Sequence, residues 1–219
     1  MPVRALVFDF DGLLVDTESA ALRAWEELLA ERGVPLPRDL WHAAIGGQGL
    51  DAAMLGYLGE LVGHADAGAM RDRWWTRHLA LVDATPLRPG VAGYLADAAR
   101  LGLPLAVASS ATGEWVSGNL RRLGTHEAFT VLATGDANRP KPAPDTYLAA
   151  LAGLGVPAAE AVAFEDSPAG VAAAKVAGMF CVAVPNAVTA VLSFPGADMV
   201  LSSFDVMGLA ELLAVIAPR

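Results

Sequence analysis

From residue 87 onward, short apolar runs alternate with longer helical patterns. Residues 103–108, 129–133, 161–164 and 180–184 have strand length and are apolar at successive positions, as strands covered on both faces of a parallel sheet are. Between them, residues 91–100, 114–123, 144–154 and 168–177 are rich in Ala and Leu at helical spacing. Strand and helix in this alternation predict an α/β fold with a Rossmann-like, doubly wound parallel sheet. Residues 5–8 form a strand of the same type, yet the next such run begins only at 103. Helical patterns fill the gap. Thr17 can cap a helix with Leu22, Trp25, Leu28 and Leu29 on one face, stopping at Gly33 ahead of Pro35 and Pro37. Residues 40–45, 50–61 and 67–81 continue in helical period, and Pro86, Pro89 and Gly90 mark the return to the sheet. The predicted layout is an α/β core of residues 1–15 and 87–219 with an all-helical insert of residues 16–86. The uncharged stretch 176–197 approaches membrane-spanning length, but Pro185-Asn186 and Pro195-Gly196 break it into a strand, a turn and a short helix.

Composition narrows the class. With 54% apolar and 18% charged residues the chain can bury a large core, which excludes disorder and low complexity. The net charge of −9, without a dense basic cluster, lacks the electrostatic footprint of a general nucleic-acid binder. The single Cys181 sits in an apolar run, so it is read as a buried, inert thiol in a reducing compartment. Asp9 arrives before any signal-like apolar stretch, and the expectation is a cytoplasmic protein without a membrane partner. Four of the five Trp (Trp25, Trp41, Trp74 and Trp75) fall in the insert and are read as its core. His42, His64, His78 and His126 show no metal-ligand spacing, and Arg71, Arg73 and Arg77 read either as a solvated helix face or as cations that reach a ligand from the insert. Gly47-Gln48-Gly49-Leu50-Asp51-Ala52 matches a dinucleotide fingerprint but follows no strand, so no nucleotide cofactor is expected.

The sharpest chemical feature is Asp9-Phe10-Asp11-Gly12 at the carboxyl end of the first strand. Carboxylates one residue apart on extended backbone share a side, and strand carboxyl ends are where α/β sheets bind ligands. Glu165-Asp166 ends a second apolar strand and supplies another acidic pair. Several carboxylates this close repel unless a cation joins them, and a hard ion such as Mg²⁺ suits oxygen donors and a substrate phosphate. Ser109-Ser110 follows the strand at 103–108, and hydroxyls with backbone N–H groups at a strand-to-helix turn form a phosphate-sized receptor. Lys141 lies in the proline-stiffened run Arg139-Pro140-Lys141-Pro142-Ala143-Pro144-Asp145, which holds an ammonium in place.

These four motifs, in this order at strand ends and with a helical insert between the first and second, resemble the haloacid dehalogenase superfamily over almost the whole chain. Gly12-Leu13-Leu14-Val15-Asp16-Thr17-Glu18, Lys141-Pro142-Ala143-Pro144-Asp145 and Phe164-Glu165-Asp166-Ser167-Pro168-Ala169-Gly170 are most similar to its branch of β-phosphoglucomutases and sugar phosphatases, which carries a helical cap in the position of the insert. The resemblance implies that Asp9 is the nucleophile, forming an aspartyl phosphate, and that Asp11 is the general acid and then the base. It implies phosphate binding by Ser109, Ser110, Lys141 and the Gly12 turn. It implies Mg²⁺ binding by Asp9, Asp166, Glu165 and the backbone carbonyl of Asp11. Asp11 also sets the chain apart from the metal-free haloacid dehalogenases, which lack that carboxylate. Where β-phosphoglucomutases carry a His on the first cap helix, an Arg in the cap loop and a basic residue after the second motif, this chain has Ala21, Gly46-Gly47-Gln48-Gly49 and Thr112. Fewer cations for a distal phosphate favour a phosphatase of small phosphorylated metabolites, sugar phosphates first, over a mutase. A receiver-like phosphorylation module is the remaining alternative, and the insert argues against it. A monomer is expected.

Overall fold

The computed structural model describes residues 2–44 and 50–216. In chain order, β1 (Ala5–Phe8) is followed by four helices, α1 (Thr17–Ala30), α2 (Arg38–Ala44), α3 (Leu50–Val62) and α4 (His64–Asp83). Alternation then resumes with α5 (Val91–Leu101), β2 (Leu105–Ala108), α6 (Gly113–Arg122), β3 (Val131–Ala133) and α7 (Asp145–Leu154). It ends with β4 (Ala161–Glu165), α8 (Pro168–Val176), β5 (Phe180–Ala183), β6 (Met199–Val200) and α9 (Leu209–Ile216). The glycine-rich segment 46–49 lies outside the described residues, and the dinucleotide-like run that begins in it continues into α3 at Leu50.

The six strands pair in parallel in the order β3-β2-β1-β4-β5-β6. The chain winds outward from β1 in one direction through β2 and β3, and in the other through β4, β5 and β6. Strand order therefore reverses between β1 and β4, and the carboxyl ends of these two strands open onto a crevice. Period-2 alternation sorts side chains between the two faces. Leu6, Phe8, Val107, Val162 and Phe164 join Tyr94 and Phe204 in one cluster, where Phe8 stacks on Phe164 with centroids 4.7 Å apart. Ala5, Val7, Ala106, Ala108, Ala161 and Ala163 point into the other, whose small side chains let α7 and α8 pack close with Tyr147, Leu151, Ala173 and Ala174. Each face would bury its apolar surface at roughly 25 cal/mol per Å².

Two strands start later than their apolar runs. Pro104 has no N–H for the ladder, and its carbonyl instead accepts from Leu6, so β2 begins at Leu105. A 3₁₀ turn at His126–Ala128 carries the chain to Phe129 and delays β3. β6 and α9 were not expected from the pattern. Cys181 is fully buried, and burial pushes its thiol pKa far up, which keeps it inert.

The chain divides into two compact units, residues 1–16 with 86–219, and residues 17–85. Among the described residues no helix is long and apolar enough to cross a membrane. In the helical unit, Thr17 is the first residue of α1 rather than its cap, and Leu22 is only half-buried. Ala20, Ala21 and Ala24 take the buried face with Trp25, Leu28 and Leu29, so α1 approaches α4 closely. Trp25 stacks on Trp74 at 5.0 Å, and the Trp74 indole donates to the Ala21 carbonyl at 3.1 Å. Trp41 is also buried. Trp75, expected in this core, is 43% exposed, because successive helical residues diverge by about 100° and Trp74 takes the inward position.

His78 stacks on Trp74 at 5.2 Å, and burial lowers its pKa to about 4. Below pH 6.5 the unfolded chain takes up a proton that the buried imidazole resists. His78 therefore contributes stability that is present above that pH and is lost as pH falls toward 4. The shift corresponds to about 3 kcal/mol. His78→Phe, which keeps the stack, is expected to flatten this acid limb in urea unfolding measured from pH 7 to pH 4.

Candidate active site

The site grows from the end of β1. The Asp9 amide donates to the Phe164 carbonyl at 3.0 Å, which extends the β1–β4 pairing by one residue and fixes where the Asp9 carboxylate begins. The backbone then turns at Gly12, whose φ of 78° favours glycine. A side chain there would also collide with the Asp166 carboxylate and the Asn186 amide. The Gly12 N–H donates to the Val15 carbonyl at 2.8 Å, so this bond holds the turn rather than a phosphate. Its carbonyl accepts from Arg88 at 2.7 Å and from Asn186 at 3.2 Å, and the Arg88 guanidinium also donates to the carbonyls of Val184 and Pro185. Arg88 thus ties the turn after β1 to the segment after β5.

Lys141 is buried, and its Nζ is ion-paired with both Asp9 Oδ1 and Glu165 Oε1. The loop that carries it is anchored by a hydrogen bond: the Lys141 N–H donates to Ser110 Oγ at 3.1 Å. Glu165 is fully buried and accepts from the Tyr147 hydroxyl at 2.6 Å, with Oε2 accepting from the Asp166 N–H and the Ser167 hydroxyl. Gly170, in the first turn of α8, leaves the room this carboxylate needs, since a Cβ there would overlap it. Asp166 Oδ2 accepts from Asn186 Nδ2 at 2.8 Å. The Asn186 side-chain oxygen in turn accepts from the N–H groups of Val188 and Thr189, which locks its orientation.

Ser109 directly follows β2 and is buried; its N–H donates to the Ala133 carbonyl, and its hydroxyl accepts from the Ala111 N–H at 3.1 Å. Ser110 is exposed, with its hydroxyl holding the Lys141 loop. Asp11 is half-buried, and its Oδ1 accepts from Trp115 Nε1 at 2.9 Å.

Ligand oxygens of Asp9, Glu165 and Asp166 all lie within 4.8 Å of one another. The Asp11 side chain is not in this group; the expectation for Asp11 concerned its backbone carbonyl. Burial, the largest influence, pushes the Asp9 pKa up; Lys141 pulls it down, Glu165 and Asp11 push it up again, and it stands at about 8. Burial alone would lower the Lys141 pKa, but Asp9 and Glu165 outweigh it and hold the ammonium firmly protonated. The Lys141 ammonium, with the Arg88 guanidinium near Asp166, thus serves a set of carboxylates that still carries excess negative charge. Hard oxygen donors short of positive charge suit a small divalent cation, so these residues fit Mg²⁺.

The structure brings Asp9, Lys141, Glu165 and Asp166 into direct contact or close approach, with Asp11, Gly12, Ser109 and Ser110 on the adjoining turns. Sequence reasoning did not single out Trp115, Tyr147, Asn186 or Arg88. The available signal for Trp115 was its place in the first turn of the helix that follows Ser109, but an aromatic at helical spacing reads equally as core.

The sequence profile described as haloacid dehalogenase-like hydrolase matches residues 6–184. The protein YhcW of Bacillus subtilis (strain 168) is 41% identical over 216 residues, covering 96% of this chain and 96% of that protein. The β-phosphoglucomutase of the same organism is 29% identical over 196 residues, covering 83% of each chain. A crystal structure of CbbY from Rhodobacter sphaeroides, an Asp-to-Asn mutant in complex with xylulose-(1,5)bisphosphate, superposes with a TM-score of 0.73 at 34% identity, covering 96% of this chain and 99% of that one.

Proposed function

Because the chain belongs to the haloacid dehalogenase-like hydrolases, in their phosphatase and phosphomutase branch, we propose that it is a Mg²⁺-dependent phosphatase of small phosphorylated metabolites, sugar phosphates first. The observation that carries this reading is the buried Lys141 ammonium held between Asp9 and Glu165 beside Asp166, at the switch point of the sheet.

In this reading an Asp9 oxygen attacks phosphorus, and an aspartyl phosphate forms as the bond to the leaving oxygen breaks. Asp11 gives its proton to that oxygen. It then takes a proton from the water that attacks the aspartyl phosphate, which releases inorganic phosphate and restores Asp9. Lys141 and Ser109 hold the phosphoryl oxygens as they move toward the transition state, with Ser110 fixing the Lys141 loop. Asp9 and Asp166, with Glu165 and the Asp11 carbonyl, would hold Mg²⁺, which when bound neutralises charge between the nucleophile and the phosphoryl group. The helical unit takes the role of a substrate-selecting cap.

Hydrolysis is favoured over mutase chemistry because a bisphosphate needs cations for its second phosphate. Arg73 and Arg77 both donate to Glu31, at 2.5 and 2.7 Å, and Arg88 donates to three backbone carbonyls. Ala21 and Thr112 stand where the mutase resemblance asks for His and a basic residue.

Phosphorus NMR with Mg²⁺, β-glucose 1-phosphate and a trace of the 1,6-bisphosphate separates the two. Inorganic phosphate as the product supports the phosphatase, whereas glucose 6-phosphate establishes the mutase. Xylulose 1,5-bisphosphate, the ligand in the CbbY structure, is the second substrate to test. EDTA is expected to abolish turnover, and Mg²⁺ at 100 times its Kd is expected to stabilise the phosphate-free protein by about 2.7 kcal/mol in thermal melts. An unchanged melting temperature with Mg²⁺ would remove the metal from this reading.

A further inference from the structure

The hydrogen bond from Trp115 to Asp11 joins residues 104 positions apart and is not needed to complete any secondary structure. Its origin is the sheet order. β2 lies beside β1, so the helix that follows β2 starts next to the turn that follows β1. α6 is fixed there at its first turn. The Thr112 hydroxyl accepts from the Trp115 N–H at 3.3 Å, and the Gly113 N–H donates to Asp136 Oδ2 at 2.5 Å from the segment after β3. The Trp115 carbonyl accepts from Asn119 Nδ2 at 3.1 Å, and the indole packs against the larger core cluster. The ring is thereby set by a cap, a neighbouring loop and the core.

We propose that Trp115 is a positioning residue for Asp11, holding Oδ1 so that the proton exchanged with the leaving group is carried on Oδ2. An indole N–H donates and cannot accept. The carbonyl oxygen of a neutral carboxyl group accepts more strongly than its hydroxyl oxygen, so the indole N–H on Oδ1 favours the carbonyl there and the proton of a neutral Asp11 on Oδ2. That proton passes from Oδ2 to the leaving oxygen as the P–O bond breaks and its electron pair goes to that oxygen. Phe in place of Trp115 keeps an aromatic ring against the core but removes the donor that favours the proton on Oδ2 over Oδ1.

This inference rests on the phosphatase reading, and leaving-group basicity separates the two. Phenyl phosphate and p-nitrophenyl phosphate are close in shape, but phenolate needs a proton as it departs far more than nitrophenolate does. The quantity measured is kcat/KM with Mg²⁺, which reports steps up to formation of the aspartyl phosphate. General acids contribute about 10²–10⁴-fold, and a misplaced group forfeits part of that. Trp115→Phe is expected to lower kcat/KM for phenyl phosphate by about 10-fold or more and for p-nitrophenyl phosphate by less than about 2-fold. In an Asp11→Asn background the same substitution is expected to cost phenyl phosphate nothing further. Equal losses on both esters, or no loss on either, overturn the inference and leave the phosphatase standing. A wild-type protein that releases phosphate from neither ester, nor from β-glucose 1-phosphate or xylulose 1,5-bisphosphate, removes the reading and the inference together.

Discussion

Asp9→Asn is expected to lower phosphate release by about 10⁴-fold or more while the protein stays folded and loses no stability. The activity follows from chemistry: an amide oxygen cannot become an acyl phosphate that water then cleaves, so the covalent route closes. The stability follows from the position of Asp9. Its pKa of about 8 in the metal-free protein means that burial opposes the charged form, with Lys141 pulling the other way. A carboxyl group whose pKa is raised by folding contributes stability below its unfolded value near 3.8, and that contribution is lost as pH rises through about 8. Asn has the same shape and no charge to bury, and its side-chain oxygen can still accept from Lys141. The two proteins should therefore match in urea unfolding at acid pH and diverge as pH rises, with the variant more stable at pH 9 in EDTA. Mg²⁺ should reverse that order by favouring the ionised carboxylate of the wild type. A variant that releases phosphate at the wild-type rate would overturn the nucleophile, and one that melts well below wild type in EDTA would overturn the electrostatic account.

The carboxylates were legible because each interrupts an apolar pattern where a strand ends, and Lys141 because prolines stiffen the run around it. A charge at such a point has no packing reason to be there, so chemistry is the simplest reading of Asp9, Asp11, Glu165 and Asp166. The alternation that predicted β1, β2, β3, β4 and β5 was legible for the related reason that both faces of each strand are covered. β6 pairs through only two residues, too short for any period to register. The groups that orient the charged residues were not legible. Tyr147 and Trp115 sit at helical spacing among apolar residues, and each is packed against a core cluster, so their pattern is that of core. What makes them polar partners is the register of remote elements: Tyr147 reaches Glu165 from α7, which packs on β1, β2 and β3, and Trp115 reaches Asp11 because β2 lies beside β1. Asn186 reads as a turn residue after Pro185, and its bond to Asp166 exists only because β5 lies beside β4.

Lys141→Met is expected to destabilise the metal-free protein by about 3–5 kcal/mol at neutral pH and above, the cost of leaving buried carboxylates without their cation. Both acidic partners are well buried: the Glu165 side chain is 0% exposed and that of Asp9 is 9% exposed, so water cannot take over from the ammonium. Met matches the length and volume of the lysine stem, which keeps the packing against Tyr147 and isolates the charge. The pH dependence carries the proof. In the wild type the ammonium, with its pKa held up by Asp9 and Glu165, stays charged and contributes stability up to the unfolded lysine value near 10.5, losing it only as pH rises beyond. In the variant the exposed penalty includes the ionised Asp9 carboxylate, so it should shrink as pH falls and Asp9 protonates. The stability gap measured by urea unfolding in EDTA should therefore be widest near pH 8–9 and narrow toward pH 4. Mg²⁺ should recover part of the loss by supplying positive charge to the same oxygens, whereas turnover should stay low because the phosphoryl oxygens have lost their cationic partner. A gap independent of pH would mean that Lys141 acts through packing alone, and the charge balance on which the site is built would have to be assigned elsewhere.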